Sequence, residues 1–300
     1  MKVVFLGTGG SIPTPSRGSP AIAVKRKGEI LLFDCGEGTQ LQFAKAKLNL
    51  HRITRIFISH LHGDHVLGIP GIIMTLSLQE RSKPMTIYGP SGTISFMKAI
   101  TESFEHNNGY EIKIYDVGEG VIVEDEEYSV TCVRGDHIVP TLAYALIEKE
   151  RPGKFHPEKA RMLNVPEGAQ WSQLQAGKSI DHEGRTIKPG EVLGPSRPGR
   201  KIVYSGDTRP SQKILELSRG ADLLIHDGTF DDTLREKAIE GGHSTVVEAA
   251  HLARKAKVKR LVLSHISPRY KDTTILGEQI RNIFPTAQIA EDFLEIQIPF

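Results

Sequence analysis

Four short runs of strand-forming residues in this chain each end in a side chain that binds metals. "RIFIS" leads into "HLHGDH", with His60, His62, Asp64 and His65; "YSVTCVRGD" leads to His137, "KIVYSG" to Asp207 and "RLVLS" to His265. β-Branched and aromatic residues mark the runs as strands, and functional groups in α/β proteins gather at the carboxyl ends of strands. A chain with this pattern has to bring distant strand ends together, because a rigid sheet edge can fix several ligands to the precision a metal requires. His60 and His62, two residues apart, point the same way on an extended segment. Gly63 permits a turn, after which Asp64 and His65 face a second position. Seven N or O donors exceed what one tetrahedral zinc takes. They suit two metals sharing a bridging carboxylate and a bridging water, with Asp207, alone at its strand end, as the natural bridge. Imidazole and carboxylate without thiolate favour zinc, with manganese and iron as the alternatives.

The rest of the chain frames this centre. Further strand-like runs (among them Lys2 to Leu6, Glu29 to Phe33, Met85 to Tyr88 and Leu294 to Ile298) mix throughout with helical patterns. The patterns are Thr39 to Leu48, Gly71 to Gln79, Ser91 to Phe104, Ser211 to Ser218, Thr245 to Ala256 and Thr274 to Phe284. That alternation predicts an α/β class, layered sheets with helices outside. The 300 residues have room for a full hydrophobic core and read as one domain, 1–300, interrupted once. From about 148 to 200 the chain is rich in Pro, Gly and basic residues with little periodicity, and a structureless loop of that length needs a job of its own. It reads as an insertion standing partly clear of the body.

The apolar run Val3 to Leu6 is too short for a signal peptide and no later stretch approaches a membrane span, so a non-exported protein without a membrane partner is expected. The two cysteines, Cys35 and Cys132, lie in or beside apolar runs with no CxxC motif, which fits buried thiols in a reducing, cytoplasmic setting. A net charge of +2 neither demands nor excludes a polyanionic partner. "GTGG" at Gly7 to Gly10 is not a dinucleotide turn, because Ile12 stands where the third glycine belongs and Pro13 follows. A backbone passing close beneath the metal site explains the glycines better, and no dinucleotide cofactor is expected.

"HLHGDH" has the HxHxDH pattern of the metallo-β-lactamase superfamily. With "LGTGGSIP", "FDCGEGTQ", "SHLHGDHVLGIPG", "VLGPSRPGRKIVYSGDT", "GGHSTVVEAA" and "LSHISPRY", in order along nearly the whole chain, it resembles the ribonuclease Z family of tRNA 3′-processing endonucleases. The resemblance implies an αβ/βα sandwich of two mixed sheets flanked by helices. It implies two Zn2+ per subunit, one held by His60, His62 and His137 and the other by Asp64, His65 and His265, with Asp207 bridging. Asp64 would also be the general base and His243 the proton donor to the leaving group. His243 and Ser244 could equally cap the helix that follows. Asp34 is either the superfamily's structural aspartate or a turn-capping residue. Asp227 stands where the family usually has glutamate and would polarise His243. No role is expected of His226, nor of His51, His106, His156, His182 and His251.

The implied reaction removes the 3′ trailer from precursor tRNA after the discriminator nucleotide, leaving a tRNA 3′-hydroxyl and a 5′-phosphorylated trailer. The insertion resembles the family's flexible arm. Lys149, Arg151, Lys154, Lys159 and Arg161 would grip tRNA phosphates there, although interleaved Glu148, Glu150 and Glu158 also allow an ordinary solvated charge run. A homodimer, one subunit's arm serving the other's site, is likewise implied. "PTPSRGSP" departs from the family's Pro-x-Lys-x-Arg-Asn loop: Arg17 is kept, but Pro15 replaces the lysine and Gly18 the asparagine. The alternatives are another dizinc phosphodiesterase, arylsulfatase or lactonase of the superfamily, for which a basic arm has no use, or a non-catalytic RNA-binding protein with structural metals.

Overall fold

The computed structural model describes residues 1–103 and 109–300; His106 and the last residue of the Ser91 to Phe104 pattern lie outside them. In chain order the strands are β1 (Lys2–Gly7), β2 (Ala21–Arg26), β3 (Glu29–Phe33), β4 (Ile53–Phe57), β5 (Met85–Gly89), β6 (Ile112–Asp116), β7 (Gly120–Glu124), β8 (Tyr128–Arg134) and β9 (Leu142–Glu148). Then follow β10 (Ile180–His182), β11 (Arg185–Ile187), β12 (Lys201–Tyr204), β13 (Leu223–Asp227), β14 (Leu261–Ser264), β15 (Gln288–Ile289) and β16 (Glu295–Gln297). One seven-stranded sheet runs β16-β1-β2-β3-β4-β5-β6 and a second runs β15-β14-β13-β12-β9-β8-β7. Both are mixed: β3 to β6 pair in parallel, as do β12 to β15, while the remaining neighbours are antiparallel.

The sheets face each other across a core that includes Phe5, Phe33 and Phe57 from the first and Tyr144, Ile202 and Val262 from the second. On the outer face of the first sheet Leu6, Leu32 and Ile56 pack under the helices Thr39–Lys45 and Ile69–Leu78, and on that of the second Val203, Leu224 and Leu263 pack under Gln212–Ser218 and Val246–Ala256. The result is helix, sheet, sheet, helix, the αβ/βα sandwich. The central parallel strands β13 and β14 are buried along their whole length, as parallel strands covered on both faces are, which is why they read as near-continuous apolar runs. Aromatic rings tie neighbouring strands at the seam: Phe33 to Phe57 at 5.1 Å, Phe57 to Tyr88 at 5.3 Å and Tyr88 to Tyr115 at 5.5 Å between centroids.

Several elements had no clear sequence signal. β7, β15 and the helices Gly63–Val66 and Arg235–Gly241 are too short or too polar to show a period. The segment 148–200, expected as an insertion with little periodicity, contains the helices Pro157–Met162, Ala169–Gln175 and Pro189–Val192 and the β10–β11 hairpin. Glu183 and Gly184 make that hairpin's turn with positive φ (49° and 74°), the twist-matched two-residue connection. These elements close over a small core of their own that includes Ala160, Leu174, Ile187 and Val192. Each is three to seven residues long, and periodicity needs more than that to be read. Among the described residues no helix is long and apolar enough to cross a membrane.

Candidate metal centre

The first sheet delivers one ligand cluster. β4 ends at Phe57, the chain bends at Ser59 and reaches His62 in extended conformation, and Gly63–Val66 then turns as a short helix. The second sheet delivers the others, His137 beyond β8, Asp207 beyond β12 and His265 beyond β14. Donor atoms of His60, His62 and His137 lie within 4.8 Å of one another, and so do those of Asp64, His65 and His265. Asp207 Oδ2 stands between the two groups, 3.1 Å from His265 Nε2, 3.3 Å from His65 Nε2 and 3.7 Å from His60 Nε2. All seven residues singled out as ligands are therefore brought together.

Three of the imidazoles are aimed by an acceptor on the far side of the ring. His65 Nδ1 donates to Asp34 Oδ2 (2.7 Å), His137 Nδ1 to the Gly242 carbonyl (2.8 Å) and His265 Nδ1 to Thr229 Oγ1 (2.8 Å). Each leaves Nε2 facing inward. Those three Nε2 atoms, together with Asp207 Oδ1, are buried and have no hydrogen-bond partner. Leaving one such atom unsatisfied costs about 1–3 kcal/mol, and a cation at the centre offsets that cost. Histidine ligands held through their second nitrogen are the usual companions of a bound metal. The donor set is that of a divalent-metal site. Burial lowers the pKa values of His60, His62 and His137, which favours the neutral form that ligates. Burial opposes charge on Asp207, yet the adjacent His265 and His65 outweigh it and hold the carboxyl well below its usual range.

Asp34 lies buried after β3 with φ at 55°, in the left-handed region. Its Oδ1 accepts from Ser59 N (2.6 Å), and its Oδ2 from Ser59 Oγ (2.7 Å), Tyr204 Oη (2.6 Å) and His65 Nδ1. Ser59 Oγ in turn meets His60 Nδ1 at 3.0 Å. One carboxylate thus orients two histidines and joins the sheets through Tyr204.

His243 Nδ1 lies 2.9 Å from Asp227 Oδ2, and its ring stacks on His265 at 5.0 Å. Asp227 has no oxygen to spare for a metal: Oδ1 accepts from Thr229 N and Oγ1, Oδ2 from Thr208 N as well as His243. Burial disfavours a proton on His243, but Asp227 outweighs it and raises the pKa to about 9. The loop carrying His243 is clamped by Arg209, whose Nη1 donates to the His243 carbonyl (2.6 Å) and to Glu248 Oε2 (2.8 Å). The Arg209 backbone N–H donates to the Asp136 carbonyl (2.7 Å), which couples the same residue to the His137 loop.

The glycine-rich start of the chain runs under this centre. A Cβ on Gly10 would come within 2.7 Å of the His265 ring and one on Gly36 within 2.1 Å of the Asp64 carbonyl oxygen. Ser11 N donates to Asp64 Oδ2 at 2.9 Å. Arg17 does not reach outward: its Nη1 donates to Thr8 Oγ1 (2.7 Å) and the Ala290 carbonyl (2.5 Å). His226 is buried in β13 with Nδ1 on the Asp227 carbonyl, and His51, His156, His182 and His251 join none of the donor groups. Of the arm residues, Lys149 pairs with Glu124 and Arg161 with Glu167, Arg151 lies at the neck, and Lys154 and Lys159 are exposed. The supports that sequence reasoning missed are Ser59, Thr229, Tyr204, Arg209 and the Gly242 carbonyl. Only Ser59, beside the histidine cluster, carried a positional hint.

Residues 30–266 match the model of the beta-lactamase superfamily domain. The ribonuclease Z of Methanosarcina acetivorans is 48% identical over 302 residues, covering 100% of this chain and 99% of that protein. That of Archaeoglobus fulgidus is 45% identical, covering 100% and 98%. Among solved structures, human tRNase Z, short form, is similar with a TM-score of 0.75 and 32% identity, covering 100% of both chains. Shared ancestry along the full length and the same fold agree with the centre just described. The chain belongs to the ribonuclease Z family, endoribonuclease hydrolases of the beta-lactamase superfamily.

Proposed function

We propose that this chain is a dizinc endoribonuclease that removes the 3′ trailer of precursor tRNA, cutting after the discriminator nucleotide and leaving a tRNA 3′-hydroxyl and a 5′-phosphorylated trailer. The observation that carries the reading is the set of bare, buried donor atoms converging from both sheets, in a chain whose relatives are named ribonuclease Z. His60, His62 and His137 would hold one zinc and Asp64, His65 and His265 the other, with Asp207 between them. Bound there, zinc supplies positive charge to the non-bridging oxygens of a phosphodiester and lowers the pKa of water toward neutrality.

The side chains do the rest. Asp64, oriented through Oδ2 by Ser11 N, accepts the proton of the attacking water. His243, kept protonated by Asp227, gives a proton to the departing ribose 3′ oxygen. The 148–200 segment distinguishes RNA from a small phosphodiester, sulfate ester or lactone: Lys154 and Lys159 stand exposed on it, without a carboxylate partner among the described residues, where backbone phosphates can reach them. The family resemblance extends the proposal to a cytoplasmic homodimer.

Mapping the cut in a precursor tRNA tests the reaction, and cleavage anywhere but after the discriminator nucleotide contradicts it. Asp64→Ala is expected to abolish turnover while precursor binding largely survives. Wild-type cleavage by the fully metallated variant would remove Asp64 as the base.

A further inference from the structure

Chain enters and leaves the 148–200 segment through a narrow neck, where Arg151 and Arg197 sit directly opposite each other. Their backbones exchange both hydrogen bonds, Arg151 N to Arg197 O at 2.8 Å and Arg197 N to Arg151 O at 2.9 Å. Like charges so placed repel. Both line a cavity of about 370 Å3 whose other walls include Arg200, Lys259, Arg260 and Asp222. Two of these five cations are neutralised within the protein: Arg200 by a two-point pair with Glu148 (2.6 and 2.8 Å), and Lys259 by Asp222 (2.6 Å). Arg151, Arg197 and Arg260 make no ion pair among the described residues. Arg151 Nε is buried without a hydrogen-bond partner. The Phe300 ring lies 3.7 Å from the Arg151 guanidinium and 3.5 Å from that of Arg200, which holds both in place.

We propose that this cavity is a phosphate-binding site, in which Arg151 and Arg197 of the neck and Arg260 of the body grip one phosphoryl group. Three uncompensated guanidiniums are more charge than one carboxylate matches, whereas a phosphate dianion with several oxygens can accept paired N–H donors from more than one fork. The site is separate from the metal centre. Arg200 and Arg260 precede β12 and β14, while Asp207 and His265 follow the other ends of those strands, a separation of roughly 15 Å at ~3.3 Å per residue. A phosphate held there fastens the neck to the body and so fixes the direction in which the inserted segment projects. The inference rests on this cavity alone and stands or falls independently of the nuclease reading.

Hydrogen exchange of the full-length, metallated protein, followed by mass spectrometry with and without millimolar inorganic phosphate at constant ionic strength, tests it. Slower exchange is expected in peptides covering 149–153 and 195–199. The phosphate concentration needed should rise by about tenfold or more in Arg197→Gln and Arg260→Gln, each removing one charged hydrogen-bonding fork. Arg260 lies outside the neck, so its variant reports even if the neck of the other unfolds. Phosphate on the metal centre would protect peptides around 60–65 in all three proteins and leave the neck unchanged. Neck protection by precursor tRNA but not by free phosphate would identify an RNA backbone phosphate as the occupant. No neck protection with either probe, or variants that respond like the wild type, would overturn the site.

Discussion

Asp227 has both oxygens occupied, and one of its bonds sets the proton on His243. Because the carboxylate raises the His243 pKa to about 9, the histidine is charged at neutral pH and loses its proton only above that value. The expected kcat/KM profile for precursor tRNA is therefore flat through neutrality and falls on the alkaline side near pH 9. In Asp227→Asn the raising charge is gone while burial remains, so the fall should move down toward or below the ordinary imidazole value of about 6.5. An alkaline limb that stays in place would show that another group titrates there. At this scale the sequence was most legible where the chemistry is rare. His and Asp at strand ends stand out in any chain. Thr229, Tyr204 and the Gly242 carbonyl do not, because hydroxyls and carbonyls are everywhere and each meets its histidine or aspartate from 36, 170 or 105 residues away. Asp34 was legible as a position but not as a role, and four accepted hydrogen bonds now separate support of the histidines from simple turn capping.

Among the elements, long apolar strands were read within a residue or two of their ends, and helices such as Val246–Ala256 nearly as well, since its Thr245 cap and Glu248 form a capping box. The 148–200 segment was not legible as structure. Its helices are too short to show a stripe, and its core is assembled from apolar residues scattered from 160 to 193. That independent core makes a clean experiment possible. Replacing residues 154–194 with a short Gly-Ser link removes the exposed Lys154 and Lys159 without opening either main sheet. Cleavage of precursor tRNA should fall on the order of tenfold or more through lost phosphate contacts, while hydrolysis of bis(p-nitrophenyl) phosphate should be unchanged. Equal losses on both substrates would mean that the segment shapes the centre rather than holding RNA.

Across the whole molecule the two sheets are joined at both ends. Near the metal centre the bond is Tyr204 to Asp34; at the far end it is a network in which Glu148 of β9 pairs with Arg200 and lies 3.8 Å from Arg26 of β2. Burial opposes the Glu148 charge, but its hydrogen bonds to Arg200 prevail and its folded pKa is lowered. A lowered carboxyl pKa contributes stability that is complete above the unfolded value of about 4.3 and disappears as pH falls through the folded value. Glu148→Gln should thus cost about 3 kcal/mol at neutral pH by stranding the buried Arg200, whereas Arg26 keeps Glu29 and Glu127, with a shallower loss of Tm than the wild type below about pH 4.3. Parallel acid-unfolding curves for the two proteins would assign the acid sensitivity elsewhere.

The donors that meet at the centre are drawn from residue 60 through residue 265, and the strand presenting the last of them is β14. A ribosome making this chain exposes the first of these histidines well before the closing one. A fragment that stops short of His265 therefore lacks one of the donors that the finished centre brings together.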